Sequence, residues 1–134
     1  MYRTKVLFKR VGTRRMSRFL IADDASFMRL MICQILARKG YTNIVEAQNG
    51  RQAVEQFKLT KPDITLMDIT MPELDGLAAL EEILVIDSTA KVIMCSAIAQ
   101  ESMVLEALKR GAVDFIAKPF RPDQFLETVS KYLI

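Results

Sequence analysis

Five short apolar runs, each followed by a stripe of apolar positions at helical spacing, alternate along residues 19–134. Residues 19–22 (Phe-Leu-Ile-Ala) are unbroken apolar, the pattern of a strand buried on both faces. Met28, Met31, Ile32, Ile35 and Leu36 then predict a helix over 26–39, closed by Gly40. A second strand is predicted at 43–47. A helix over 50–59 follows, with Ala53, Val54 and Phe57 on one face and Lys61-Pro62 as its stop. Residues 63–67 read as a central strand, 69–75 as a loop, and 76–86 as a helix carrying Leu77, Leu80, Ile83 and Leu84. The fourth unit pairs a strand at 92–95 with a helix over 101–110 (Val104, Leu105, Leu108) ended by Gly111. The fifth pairs a strand at 113–116 with a helix over 122–133, in which Pro122 suits a first turn and Phe125, Leu126 and Val129 face inward. Alternating strand and helix imply an α/β fold, with a parallel sheet covered on both faces by right-handed crossovers.

The ends of the strands carry the chemistry. The first stops at Asp23-Asp24, the third at Asp68, the fourth at Ser96 and the fifth at Lys118-Pro119. In such sheets ligands bind beyond the carboxyl ends of the strands. Three like charges at one rim repel one another and are kept together where a cation compensates them. The set therefore predicts a divalent-metal site containing a reactive carboxylate. The Ser96 hydroxyl and the Lys118 ammonium suit the oxygens of a phosphoryl group.

Composition narrows the classes. A chain of 134 residues suits one domain, and with 51% hydrophobic residues a real core is expected. No apolar stretch approaches the roughly 18 residues needed to span a bilayer. The net charge of +3 misleads, because residues 1–18 hold seven basic residues and no acid, leaving twelve Lys/Arg against sixteen Asp/Glu beyond them. The folded part is acidic, and nothing in it suggests a nucleic-acid face. Residues 1–17 read as a basic, disordered arm that is neither a secretory signal nor a membrane segment, and residues 18–134 as the domain. Cys33 and Cys95 lie in apolar patterns without a metal-ligand or CxxC neighbour, and the chain has no His. Reduced, buried thiols in a cytoplasmic protein are expected. The Met residues at helix and strand spacing read as core filler. Phe27, off the main stripe and next to the acidic rim, is a candidate partner contact.

Asp23-Asp24, the segment Met67-Asp68-Ile69-Thr70-Met71-Pro72-Glu73-Leu74-Asp75-Gly76, then Met94-Cys95-Ser96-Ala97 and Lys118-Pro119-Phe120, resemble the receiver domain of bacterial response regulators. The resemblance covers about residues 18–134 and is closest to the stand-alone chemotaxis regulators. It implies a doubly wound, flavodoxin-like (βα)5 fold with five parallel strands in the order 2-1-3-4-5, an order that belongs to the family. It implies that Asp68 is the phosphoacceptor, served by a histidine kinase. Asp24 is implied as a direct Mg²⁺ ligand, Asp23 as a ligand acting largely through water, and Thr70 as a donor of its backbone carbonyl. Ser96 would bind a phosphoryl oxygen, Lys118 would be the counter-ion, Phe115 the aromatic switch, and the bond before Pro119 would be cis. Ile98, two residues after Ser96, would border the entrance to the phosphoryl group. Ser at 96 and Phe at 115 replace the commoner Thr and Tyr.

These features predict a phosphorylation-controlled binding switch. It would be no enzyme acting on free substrates, though it would assist its own phosphoryl transfer. With the chain ending just after the fifth helix, output is expected through docking to a partner protein. In chemotaxis relatives that partner is the flagellar motor switch. A monomer is expected, without nucleic-acid or membrane partners. The alternatives are a phosphorelay intermediate that passes the group to a histidine phosphotransferase, and, from a different class, an aspartyl-phosphate hydrolase. The last needs a second Asp two residues after the nucleophile, where this chain has Thr70.

Overall fold

The computed structural model describes residues 17–97 and 100–133. Five strands and five helices alternate: β1 (Phe19–Ala22), α1 (Ser26–Ala37), β2 (Ile44–Ala47), α2 (Gly50–Thr60), β3 (Ile64–Asp68), α3 (Gly76–Ile86), β4 (Val92–Ala97), α4 (Glu101–Arg110), β5 (Asp114–Lys118) and α5 (Pro122–Ser130). The strands form one parallel sheet in the order β2-β1-β3-β4-β5. The chain leaves β1 toward β2 on one side and toward β3 on the other. The reversal of strand order thus falls between β1 and β3, where their carboxyl ends diverge into a crevice.

Side chains alternate across the sheet and build two cores. Leu20, Ala22, Met67, Val92 and Met94 pack against α2, α3 and α4 through Val54, Phe57, Leu80, Ile83 and Val104. Phe19, Ile21, Leu66, Ile93 and Cys95 pack on the other face against α1 and α5 through Ile32, Ile35, Leu36, Phe125 and Val129. Burial on both faces is why β1 reads as an unbroken apolar run and why β3 is interrupted before Asp68 only by the buried Thr65. Among the described residues no helix is long and apolar enough to cross a membrane.

Local signals explain most boundaries. The Asn49 side chain caps α2 by accepting from Gln52 N, and Asp75 caps α3 by accepting from Ala78 N. Lys61, at φ 47°, ends α2 in a left-handed turn just before Pro62. β3, β4 and β5 run one or two residues beyond the apolar runs, so that Asp68, Ser96 and Lys118 are themselves ladder residues. Helices α1 and α5 stop short of their predicted ends at 39 and 133, because the chain turns after Ala37 and Ser130. The predicted arm lies outside the described residues except for Ser17, which is buried.

Candidate functional site

β1 delivers Asp23 and Asp24 to the crevice. Asp23 is 3% exposed and held by three partners. Its backbone N–H donates to Ala47 O at 3.1 Å, its Oδ1 accepts from Ala25 N at 2.9 Å, and its Oδ2 accepts from Lys118 Nζ at 2.8 Å. The Asp23–Ala25 bond is a local turn that starts α1, where no side chain of Ala25 itself can cap the helix. Asp24 is exposed at the rim. Asp68, the last residue of β3, is buried, and one carboxylate oxygen from each of Asp23, Asp24 and Asp68 lies within 4.8 Å of the others.

Lys118 closes the group from β5. Its Nζ is 2.8 Å from Asp23 Oδ2 and 3.4 Å from Asp68 Oδ1. Burial alone would push the ammonium down, but the Asp23 hydrogen bond and the charges of Asp68 and Asp23 outweigh it, and its pKa stands above the ordinary value. Asp68 is also raised. Burial is the largest cause and the Asp23 and Asp24 charges add to it, while Lys118 opposes them. The acceptor candidate is thus a carboxylate whose surroundings disfavour its charge. Two carboxylates and an ammonium share the buried floor, and a third carboxylate stands at the mouth.

The other predicted residues surround this floor. In the β3–β4 register Asp68 faces Cys95, so Ser96 follows immediately beyond, buried at 3% exposure. Thr70 is exposed in the loop after β3, and its hydroxyl accepts a hydrogen bond from the Gln100 amide. Phe115 on β5 is 45% exposed and borders an apolar groove of about 300 Å³, shared with Ser96, Ala97, Val104, Leu105 and Leu108. The Lys118–Pro119 bond is cis, as the resemblance implies. Phe27 is 68% exposed, with Leu30 one turn later also exposed. Ile98 lies outside the described residues.

Three residues escape a reading of the sequence. Gly76 is one: its N–H donates to Ile69 O at 2.7 Å, and a Cβ there would stand 2.0 Å from the carbonyl oxygen of Asp68. The D-G pair, expected only to start a helix, also lets α3 abut the backbone of Asp68. Gln100 is the second. Besides donating to Thr70, it accepts from Ala97 N at 3.0 Å, tying the end of β4 to the loop after β3. Arg29 is the third, a buried cation in the first turns of α1.

The donor set suits a hard cation. Carboxylate oxygens from three residues gather in one place, without His or thiolate, and oxygen donors of this kind select Mg²⁺ or Ca²⁺ over softer metals. The thiols are no competitor. Burial pushes Cys95 up to about 12, and Cys33 is also raised, chiefly by burial, so neither is primed as a nucleophile.

Comparison with known proteins agrees with this geometry. The response regulator receiver domain family matches residues 19–130. The chemotaxis protein CheY of Bacillus subtilis is 55% identical over 116 residues, covering 87% of this chain and 97% of that protein. CheY of Thermotoga maritima is 54% identical over 114 residues, covering 85% and 95%. Among solved structures, the CheX–CheY–BeF3–Mg+2 complex from Borrelia burgdorferi contains a chain that superposes with a TM-score of 0.82 at 36% identity, covering 88% of this chain and 90% of that one. A five-stranded sheet in this order, an acidic crevice at its switch point and relatives of this identity along nearly the whole domain give one answer: the chain belongs to the receiver domains of response regulators and is closely related to the CheY proteins.

Proposed function

We propose that this chain is a single-domain response regulator. Asp68 accepts a phosphoryl group from the phosphohistidine of a histidine kinase, with Mg²⁺ held by Asp23, Asp24, Asp68 and the Thr70 carbonyl, and the change alters docking to a partner protein. The observation that carries the reading is the position of Asp68, buried at the end of β3 between the Lys118 ammonium and two further carboxylates. Bound Mg²⁺ would supply positive charge that offsets the phosphoryl oxygens and brings donor and acceptor together.

The chain's own residues do the rest. An Asp68 carboxylate oxygen attacks phosphorus as the P–N bond to the donor imidazole breaks, and the electron pair leaves on that nitrogen. Lys118 lies 3.4 Å from Asp68, close enough to neutralise an oxygen of the incoming group. The product carries roughly two negative charges where the carboxylate carried one, and it brings strong acceptors beside Ser96 and Lys118. Drawing the Ser96 hydroxyl toward them frees space at the end of the groove that Ser96 shares with Phe115, and the half-exposed ring can move into it. Changing exposure of Phe115 and of the apolar residues beside it changes what partner fits.

The similarity to CheY proteins supports a role in chemotaxis, with the flagellar motor switch as the docking partner. The Borrelia burgdorferi complex shows that a related CheY binds the protein CheX. Incubation with acetyl phosphate and Mg²⁺ should give a singly phosphorylated species by intact mass. Asp68→Asn should abolish it, and full labelling of that variant would sink the assignment. Return of the group to a His-containing protein would instead make the chain a phosphorelay intermediate.

A further inference from the structure

Arg29 is a charged residue with 9% exposure on an otherwise apolar inward face of α1. Its Nη1 donates to the backbone carbonyl of Asp23 at 2.7 Å, and its Nε donates to Glu46 Oε1 at 2.9 Å. Glu46 belongs to β2, where it stands opposite Ile21 in the ladder with β1, and its side chain is 48% exposed. A buried guanidinium is costly unless its donors are taken, and its planar fork fixes both partners in one orientation. The carbonyl it holds is that of the peptide linking Asp23 to Asp24. That peptide is planar and rigid, so fixing its oxygen fixes the direction in which both residues leave it. Asp23 is held besides by Ala47, Ala25 and Lys118, whereas Asp24, exposed at the rim, depends on this peptide for its aim.

We propose that Arg29, oriented by Glu46, is a positioning residue for the cation site, setting the Asp23–Asp24 peptide so that both carboxylates converge on one ion. The inference rests on the reading that this crevice binds Mg²⁺. It extends that reading to a residue that touches neither ion nor phosphoryl group.

Electrostatics and positioning predict opposite signs, which makes the proposal testable. Arg29 is a cation near a cation site, so removing its charge would by Coulomb repulsion alone tighten Mg²⁺ binding. Loss of a partner that orients metal ligands instead weakens binding, by about tenfold or more. Mg²⁺ affinity should be measured by calorimetry on the full chain, at a temperature where circular dichroism shows each variant folded. Arg29→Met, which keeps an unbranched apolar stem in the buried position, should bind Mg²⁺ about tenfold more weakly. Arg29→Lys should also bind weakly, since one ammonium cannot reproduce the fork between the Asp23 carbonyl and Glu46.

The half-exposed partner gives a second test should Arg29→Met not fold. Glu46→Gln and Glu46→Ala remove the same charge, but only Gln keeps an oxygen that Arg29 can donate to. Positioning requires Gln to retain most of the affinity and Ala to lose it. Equal effects of the two, or unchanged or tighter binding by Arg29→Met, overturn the proposal. Failure of the unaltered chain to bind Mg²⁺ would overturn the parent reading, and this one with it.

Discussion

Substituting Gly76 by Ala should damage stability and phosphorylation together, because of a single close approach. The added methyl would stand 2.0 Å from the Asp68 carbonyl oxygen, where ordinary contact begins at 3.4 Å. Backbone must therefore separate by about 1.4 Å, and it cannot do so freely, since Gly76 N is bonded to Ile69 O at 2.7 Å. Overpacking against a fixed neighbour costs about 1–3 kcal/mol, and a backbone contact on a central strand belongs at the upper end. The higher helix propensity of Ala returns at most about 1 kcal/mol, less in a first turn. The net is a loss of roughly 2 kcal/mol, or about 8 °C in melting temperature for a domain of this size. Displacing the acceptor carboxylate by even about 1 Å costs on the order of a hundredfold in rate.

Gly40→Ala is the control. Its φ of 83° makes a side chain there strained, but nothing lies within 4 Å of the added methyl. It should lose about 1 kcal/mol and phosphorylate normally. Melting curves and the rate of acetyl-phosphate labelling, measured on both variants, decide the matter. If Gly76→Ala melts within about two degrees of the unaltered chain and labels at its rate, the close approach of α3 to Asp68 does not position the acceptor.

Three further outcomes are expected. The pKa of Asp68 is raised on folding, so the folded chain binds that proton more tightly and gains stability as the pH falls from the raised value toward the unfolded value of about 3.9. Asp68→Asn should therefore melt higher than the unaltered chain at pH 7, with the advantage shrinking on acidification, and an advantage that grows on acidification would contradict the burial argument. Asp24→Ala should melt higher in EDTA, because one of three clustered like charges is gone, yet bind Mg²⁺ at least about tenfold more weakly; a lower melting temperature without metal defeats the repulsion argument. Phe27→Ala should leave acetyl-phosphate labelling and melting nearly unchanged, since the ring is 68% exposed, but slow transfer from the cognate kinase several-fold; an unchanged kinase rate would make the exposed ring irrelevant to docking.

The alternation of periodicities carried the fold, and helices bounded by strong punctuation were legible to the residue. Gly76–Ile86, between Asp75 and Asp87, and Glu101–Arg110, before Gly111, have the predicted ends. Strand ends were not legible in the same way. An apolar signal stops at the first polar side chain, whereas the ladder continues until its hydrogen bonds do. Asp68, Ser96 and Lys118 sit in that gap between signal and ladder, the first two buried and Lys118 half-buried, all paired in the ladder despite their polarity. The site's carboxylates, hydroxyl and ammonium could be read from the sequence because each interrupts an apolar run. Arg29 and Gln100 could not. Each stands among helix or loop residues where a polar side chain is ordinarily solvated, and each acts through partners distant in sequence, Glu46 for one and Thr70 for the other. Gly76 was visible as a helix start, but its contact with Asp68 depends on how α3 crosses β3, which no local pattern records.

The charges of the crevice explain why one half-buried ammonium belongs with three carboxylates. Asp23, Asp24 and Asp68 against Lys118 leave two negative charges uncompensated, the amount that one divalent cation cancels. A second lysine would leave only one uncompensated negative charge, half of what a divalent cation carries, and so weaken the case for binding it. No lysine would leave the floor too repulsive to bury, since Asp68 is already raised with Lys118 beside it. Lys118 also stands nearer to Asp23 than to Asp68, at 2.8 Å against 3.4 Å. Its tightest bond is therefore to a carboxylate that stays in place, and the acceptor keeps its lone pairs less engaged. When Asp68 carries a phosphoryl group, the balance returns to excess negative charge even with a divalent cation bound. Lys118 and the Ser96 hydroxyl are the groups beside it able to answer that excess. On the proposed reading, the same arithmetic that calls for a metal before phosphorylation calls for movement after it, of Ser96 on β4 and Lys118 on β5, the two strands that border the Phe115 groove.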